Sequence, residues 1–300
     1  MAEGRIARPR SWGLTDSAAP TRSWAMALSV PRWGLCAALG FLFASSGLLC
    51  ACGASRPSAE DAARSERETN LAVTYYTEGS IPAAIERLRG AIALDPDNAP
   101  AHYLLGYLLL EASGAQHDPE GALEHLERAV ELYEARGGVG GQLSEALNVY
   151  GLALMSAERC PEAVSILRRS ASDATNREPF KAWFNLGLAH HCAGDSEAAL
   201  EALRRSVGIN PAWCFGHLRI GQLHFEREEL SEAESALDRA LALEQSCIAG
   251  FGQQVRRVRG EVRAHLGHAE EAIGDLERCV ELGRDTQAGL DCQRLLEAVQ

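Results

Sequence analysis

The chain has 300 residues and a mass of 32.3 kDa, a length that by itself suggests two domains of about 150 residues. A formal net charge of −12 excludes a partner held through a phosphate backbone, because nucleic acid demands a basic footprint. With 46% hydrophobic and 23% charged residues the chain is not disordered, and 6% aromatics with recurrent Ala and Leu point to helices.

Residues 1–25 are polar, carry Arg5, Arg8, Arg10 and Arg22, and have no apolar periodicity. Met26 opens a second stretch with Arg32, and the start of translation is placed at either Met1 or Met26. An apolar run follows from Gly34 to Leu49, too short for a membrane span of about 20 residues but suited to a signal peptide. It ends in Leu49-Cys50-Ala51-Cys52-Gly53, which resembles the lipobox of bacterial lipoproteins. That resemblance implies a signal peptide over 1–51, a diacylglycerol on Cys52 and a polar tether over 52–67. Removing 1–51 leaves 24 basic against 39 acidic side chains, a net −15.

From Leu71 onward the chain repeats itself. Five pairs of small residues stand twelve apart: Ala72 and Ala84, Gly151 and Ala163, Gly187 and Ala199, Gly221 and Ala233, Gly260 and Ala272. A sixth pair, Gly106 and Ala122, is four residues wider, and His117-Asp118-Pro119-Glu120 extends the turn between them. Four residues beyond each pair stands a leucine: Leu88, Leu126, Leu167, Leu203, Leu237 and Leu276. Pro96 and Pro211 each stop a second helix, and Trp183, Leu186 and Gly187 open the fourth unit. This resembles the tetratricopeptide repeat, a helix pair with a period of about 34 residues in which small residues mark the helix crossing.

The resemblance implies an all-α fold, a right-handed α-solenoid rather than two globular domains. Six helix pairs are expected at about 65–98, 99–136, 144–177, 180–213, 214–247 and 253–285, with a capping helix over 286–299. Gly137-Gly138-Val139-Gly140-Gly141 reads as a spacer between the second and third pairs; it lacks the lysine of a phosphate loop. In the sixth pair Arg256, Arg259 and Arg263 stand where Trp, Leu and Tyr are usual. Val255, Val258, Val262 and Leu266 still form a helical stripe, displaced by one residue. The basic run, with Arg257, is expected to be a solvated helix face.

In this repeat family the inner face of each first helix lines a partner groove. Here that face is expected to hold Val73, Tyr76, Tyr103, Tyr107, Leu110, Leu152, Met155, Phe184, Leu188, Phe215, Leu218 and Phe225. It is apolar and aromatic, and a patch of that extent marks a protein-binding surface for an amphipathic helix or extended peptide. His190-His191-Cys192 is not expected to bind metal, because adjacent residues on one helix diverge by about 100°. No HExxH, GxSxG, CxxC or GxxxxGK[ST] motif occurs, and no catalytic residue or cofactor is expected.

Six cysteines follow Cys52 and suit an oxidising compartment. Cys214 and Cys247 are 33 apart, nearly one repeat, and Cys279 and Cys292 are thirteen apart at the cap. Both pairings are favoured, with Cys160–Cys192 less secure, among about fifteen formal connectivities.

A lipobox followed by six such repeats resembles the pilotin lipoproteins of type IV pilus biogenesis, over residues 62–298. Asn210-Pro211-Ala212-Trp213-Cys214-Phe215-Gly216 and the stretch from Cys279 to Arg294 are similar to the myxobacterial member of that group. The resemblance implies an outer-membrane, periplasm-facing scaffold that is lipid-anchored and binds a secretin subunit. A general periplasmic adaptor for another envelope complex is the alternative.

Overall fold

The computed structural model describes residues 57–138 and 141–300, so residues 1–56, with the signal peptide and Cys52, lie outside it. Thirteen α-helices and no strand occur among the described residues. Six antiparallel pairs follow one another: α1 (Ala59–Thr77) with α2 (Ile81–Leu94), α3 (Ala99–Glu111) with α4 (Pro119–Ala135), α5 (Gln142–Ser156) with α6 (Cys160–Ser172), α7 (Pro179–Cys192) with α8 (Ser196–Ile209), α9 (Cys214–Glu226) with α10 (Leu230–Ala242), and α11 (Phe251–Leu266) with α12 (Ala269–Leu282). Helix α13 (Gln287–Val299) closes the array against α11 and α12.

The small residues pack as their spacing requires. A methyl group added to Gly187 would stand 2.7 Å from Leu203 Cγ, and one on Gly221 would stand 2.6 Å from Leu237 Cγ. The same conflict recurs at Gly106 with Leu126 and at Gly260 with Leu276. In pairs two to six the leucine of the second helix is therefore the group that demands glycine on the first, while the first pair accommodates Ala72. Leu88, Leu126, Leu167, Leu237 and Leu276 are fully buried as a result.

A polar clasp recurs at the far end of the pairs. Ser65 Oγ donates to the Ala91 carbonyl at 2.8 Å, Ser170 to Ser144 at 2.7 Å, and Ser206 to Phe180 at 2.7 Å. Gln253 Nε2 does the same to Cys279 O at 2.9 Å. Each bond ties a first helix to the closing turns of its partner, from the opening turn in α5, α7 and α11 and about two turns in on α1.

Two expectations change. The segment expected as tether is helical from Ala59 onward. Ser58 caps it by accepting from the Asp61 amide at 3.1 Å, and Glu60 and Asp61 favour its first turn. Its first buried residues are polar rather than apolar: Ser65 and Thr69, ahead of Ala72, are held by Asn98 Nδ2 at 2.7 and 3.1 Å.

The second change is at α11, whose arginines are not solvated. Arg256 grips both oxygens of Glu244 at 2.7 and 2.9 Å. Arg259 does the same to Asp275 at 2.6 and 2.8 Å and reaches Asp238 at 2.6 Å. Arg263 binds Glu234 at 2.7 Å and Asp275 at 2.9 Å. Glu234 and Asp238 belong to α10, so an ionic seam joins the fifth and sixth pairs where the others use apolar side chains. The displaced valines fill the core beside it, with Val255, Val258 and Val262 buried.

Candidate partner-binding face

First helices of successive pairs touch: α1 meets α3, α3 meets α5, α5 meets α7, and α9 meets α11. This continuity brings side chains far apart in sequence onto one surface. Tyr76 on α1 and Tyr107 on α3 bring their hydroxyls to 3.3 Å, their rings edge to face at 6.0 Å and 89°. That bond, followed by burial, raises the Tyr107 phenol above its ordinary value. Tyr103 lies one turn earlier on α3, half-buried like Leu110 and Met155 against the core of pairs two to four. Leu152 is also half-buried.

In the C-terminal half the aromatic residues form a chain. Trp213 packs on Phe180 at 5.1 Å, on Phe184 at 5.7 Å and on Phe215 at 5.4 Å, and Phe215 reaches Phe251 at 5.4 Å. Phe225 stacks edge-on with His265 at 5.3 Å. Leu218 departs from expectation. It is 5% exposed and lies in the core cluster with Val255 and Val258, against which Phe215 and Phe225 also pack half-buried.

Two features escaped the reading of first-helix positions. Trp213 sits in the turn before α9, outside that register, yet joins three aromatic rings; its indole Nε1 is buried without a hydrogen-bond partner among the described residues. Beside Leu188 lies a small cleft whose lining is mixed, with Leu203 and Leu223 alongside His191, Arg219, Gln222 and Glu226. Arg219 donates to Gln222 Oε1 at 3.1 Å, and burial lowers its pKa. His191 Nε2 stands 3.6 Å from Glu226, while its Nδ1 is buried without a partner. Among the described residues no group of three His, Cys, Asp or Glu side chains could hold a metal ion. No described helix is long and apolar enough to cross a membrane.

Three cysteine pairs stand at disulfide distance. Their Cα atoms are 5.7 Å apart for Cys160 and Cys192, 6.3 Å for Cys214 and Cys247, and 6.2 Å for Cys279 and Cys292. The first joins pair three to pair four, the second spans pair five, and the third fastens α13 to α12.

Comparison with known proteins places these elements. The model described as TPR repeat matches residues 74–112, and that described as tetratricopeptide repeat matches 151–212 and 218–289. The crystal structure of PilW, a widely conserved type IV pilus biogenesis factor, superposes with a TM-score of 0.65 at 17% identity, over 76% of this chain and 97% of that one. PilF of Pseudomonas aeruginosa superposes with a TM-score of 0.62 at 19% identity, over 78% of this chain and 99% of that one. NADPH oxidase activator 1 of Rattus norvegicus is 42% identical over 67 residues, 22% of this chain. The chain spans 15% and 20% of the length of the two curated relatives it matches.

Proposed function

For a chain that belongs to the tetratricopeptide-repeat family, we propose the role of a lipid-anchored scaffold that binds a secretin subunit and promotes its assembly in type IV pilus biogenesis. The observation that carries this reading is the run of aromatic and aliphatic side chains, Tyr76 to Phe225, along the first helices, with Trp213 packed on Phe184 of α7 and Phe215 of α9. The fold likeness to PilW and PilF, which extends over nearly their whole lengths, supports it. The lipobox at Cys52 supports the anchor, and six cysteines at bonding distance suit the oxidising periplasm.

No reaction is required of such a protein. Acylation holds the chain at the periplasmic face of the outer membrane, and tethering raises the local concentration of captured subunits there. Capture buries apolar surface, at about 25 cal/mol per Å², against the cost of ordering the partner segment.

The test is capture of the secretin by the wild-type chain and by the Tyr107→Ala, Phe184→Ala, Phe215→Ala triple variant. The expected result is loss of most secretin oligomers recovered with the chain, at unchanged chain abundance. Undiminished recovery with the triple variant sinks the groove reading.

A further inference from the structure

Charge is distributed unevenly along the proposed partner face. In its C-terminal half the charges are answered in place: Arg257 lies 3.8 Å from Glu261, and Glu226 offsets the buried Arg219. In the first three pairs the same face carries Glu66, Glu111 and Glu145, all exposed. None of the three has an ion-pair partner among the described residues. Helices α3 and α5 contain no Lys or Arg at all, so Glu111 and Glu145 have no cation on their own helices, whereas α1 carries Arg64 and Arg67 beside Glu66.

Tyrosines stand between the carboxylates. Tyr103, Tyr107 and Glu111 follow one another at intervals of four on α3 and share one face. Tyr76 closes a corner with Tyr107, its ring at 89° and its hydroxyl at 3.3 Å. Glu145 stands in the first turn of α5, the first helix of the next pair. Burial first, and then the Glu145 charge, raises the Tyr103 phenol. Ring faces set at right angles, half removed from water and flanked by unpaired carboxylates, have the geometry and sign that attract a cation.

Resting on the reading of this face as the partner site, we propose that the first three helix pairs form a cation-accepting subsite. Tyr76, Tyr103 and Tyr107, backed by Glu111 and Glu145, receive an arginine or lysine side chain of the bound segment. Its apolar neighbours then run on toward Leu152, Met155 and Phe184. The subsite thereby sets the direction as well as the position of the segment.

The test uses the full chain and two fluorescein-labelled peptides, Leu-Ala-Arg-Leu-Phe-Arg-Leu-Phe and its counterpart with glutamine at both arginine positions. At low salt the arginine peptide is expected to bind about tenfold more tightly, with the advantage shrinking as sodium chloride is raised. The exposed double variant Glu111→Gln, Glu145→Gln is expected to remove the advantage and leave the glutamine peptide unaffected. Tyr107→Leu is expected to weaken the advantage, and Tyr107→Phe, which keeps the ring, to preserve it. Equal affinities in the wild type, or an advantage that survives the double variant, overturn the subsite. Binding of the glutamine peptide that is lost in Phe184→Ala would in that case leave the broader groove reading standing. Failure of both peptides to bind overturns the two together.

Discussion

Asp275 is 6% exposed and receives hydrogen bonds from both Arg259 and Arg263, so its charge is the centre of the seam on α11. Removing one member of a buried ion cluster costs more than the cluster contributes, because the remaining charges stay desolvated. Asp275→Ala is expected to lower stability by about 2–3 kcal/mol in urea titration, held to that range by Asp238 and Glu234, which remain. No measurable change would mean that the guanidinium groups swing out to water. A second residue-scale effect concerns His102 and His125, whose Nδ1 atoms lie 3.0 Å apart. His102 Nε2 stands 3.2 Å from the Pro96 carbonyl, which only accepts, so its Nδ1 is the bare nitrogen and His125 supplies the shared proton. Burial, and for His102 also the charge of His125, holds both imidazoles below the usual value of 6.5. Arg128 and Arg89 oppose a further proton, whereas Asp97, Glu124 and Asp118 favour it. The unfolded chain takes up protons as pH falls through 6.5 while the folded chain resists, so stability is lost in that window down to the lowered folded values. The melting temperature is expected to fall between pH 7 and pH 5, with a shallower slope in His125→Gln; parallel slopes would refute the pair.

At the scale of helices, the cystines divide the array. All three cysteine pairs lie between residues 160 and 292, and α1 to α4 carry none. Cys279 and Cys292 are both fully buried where α13 meets α12. The Cys279→Ser, Cys292→Ser double variant is expected to lose about 3 kcal/mol locally. Amide exchange should accelerate in α13 and the end of α12 but not in α1 to α4; uniform acceleration would show that the cap is not a separate unit. The helix pairs themselves were legible because steric demand writes them into the sequence. Gly221 must stay bare beneath Leu237, and that requirement fixes both residue types and their spacing. The start of α1 was not legible, since its first turns bury only Ser65 and Thr69 and have no apolar stripe to read. Nor was the role of Arg256, Arg259 and Arg263, whose carboxylate partners come from three other segments. Trp213 was missed for a simpler reason: it approaches the partner face from a turn, where helical register says nothing.

At the scale of the whole chain, each pair contacts mainly its neighbours, so stability is nearly a sum of local terms and the proposed anchor can act only through position. Cys52→Ala is expected to leave the exported chain unlabelled by radioactive palmitate and released from the membrane fraction; a labelled, membrane-bound variant would refute acylation at that residue. The ionic seam bears on how such an array is inherited. Repeats multiply by duplication because one generic apolar surface fits any neighbour. The sixth pair has given that up. Its arginines need Glu234 and Asp238, and the equivalent positions in earlier pairs hold Ile85 and Arg89, Leu123 and Glu127, Val164 and Arg168, and Leu200 and Arg204. Placed behind pairs one, three or four, it would meet an apolar side chain and a like charge; behind pair two, a single acid. A gene that gained or lost a unit at this junction would encode a sixth pair that keeps Asp275 but lacks the two α10 carboxylates, so this pair is addressed to its predecessor and the junction is closed to insertion.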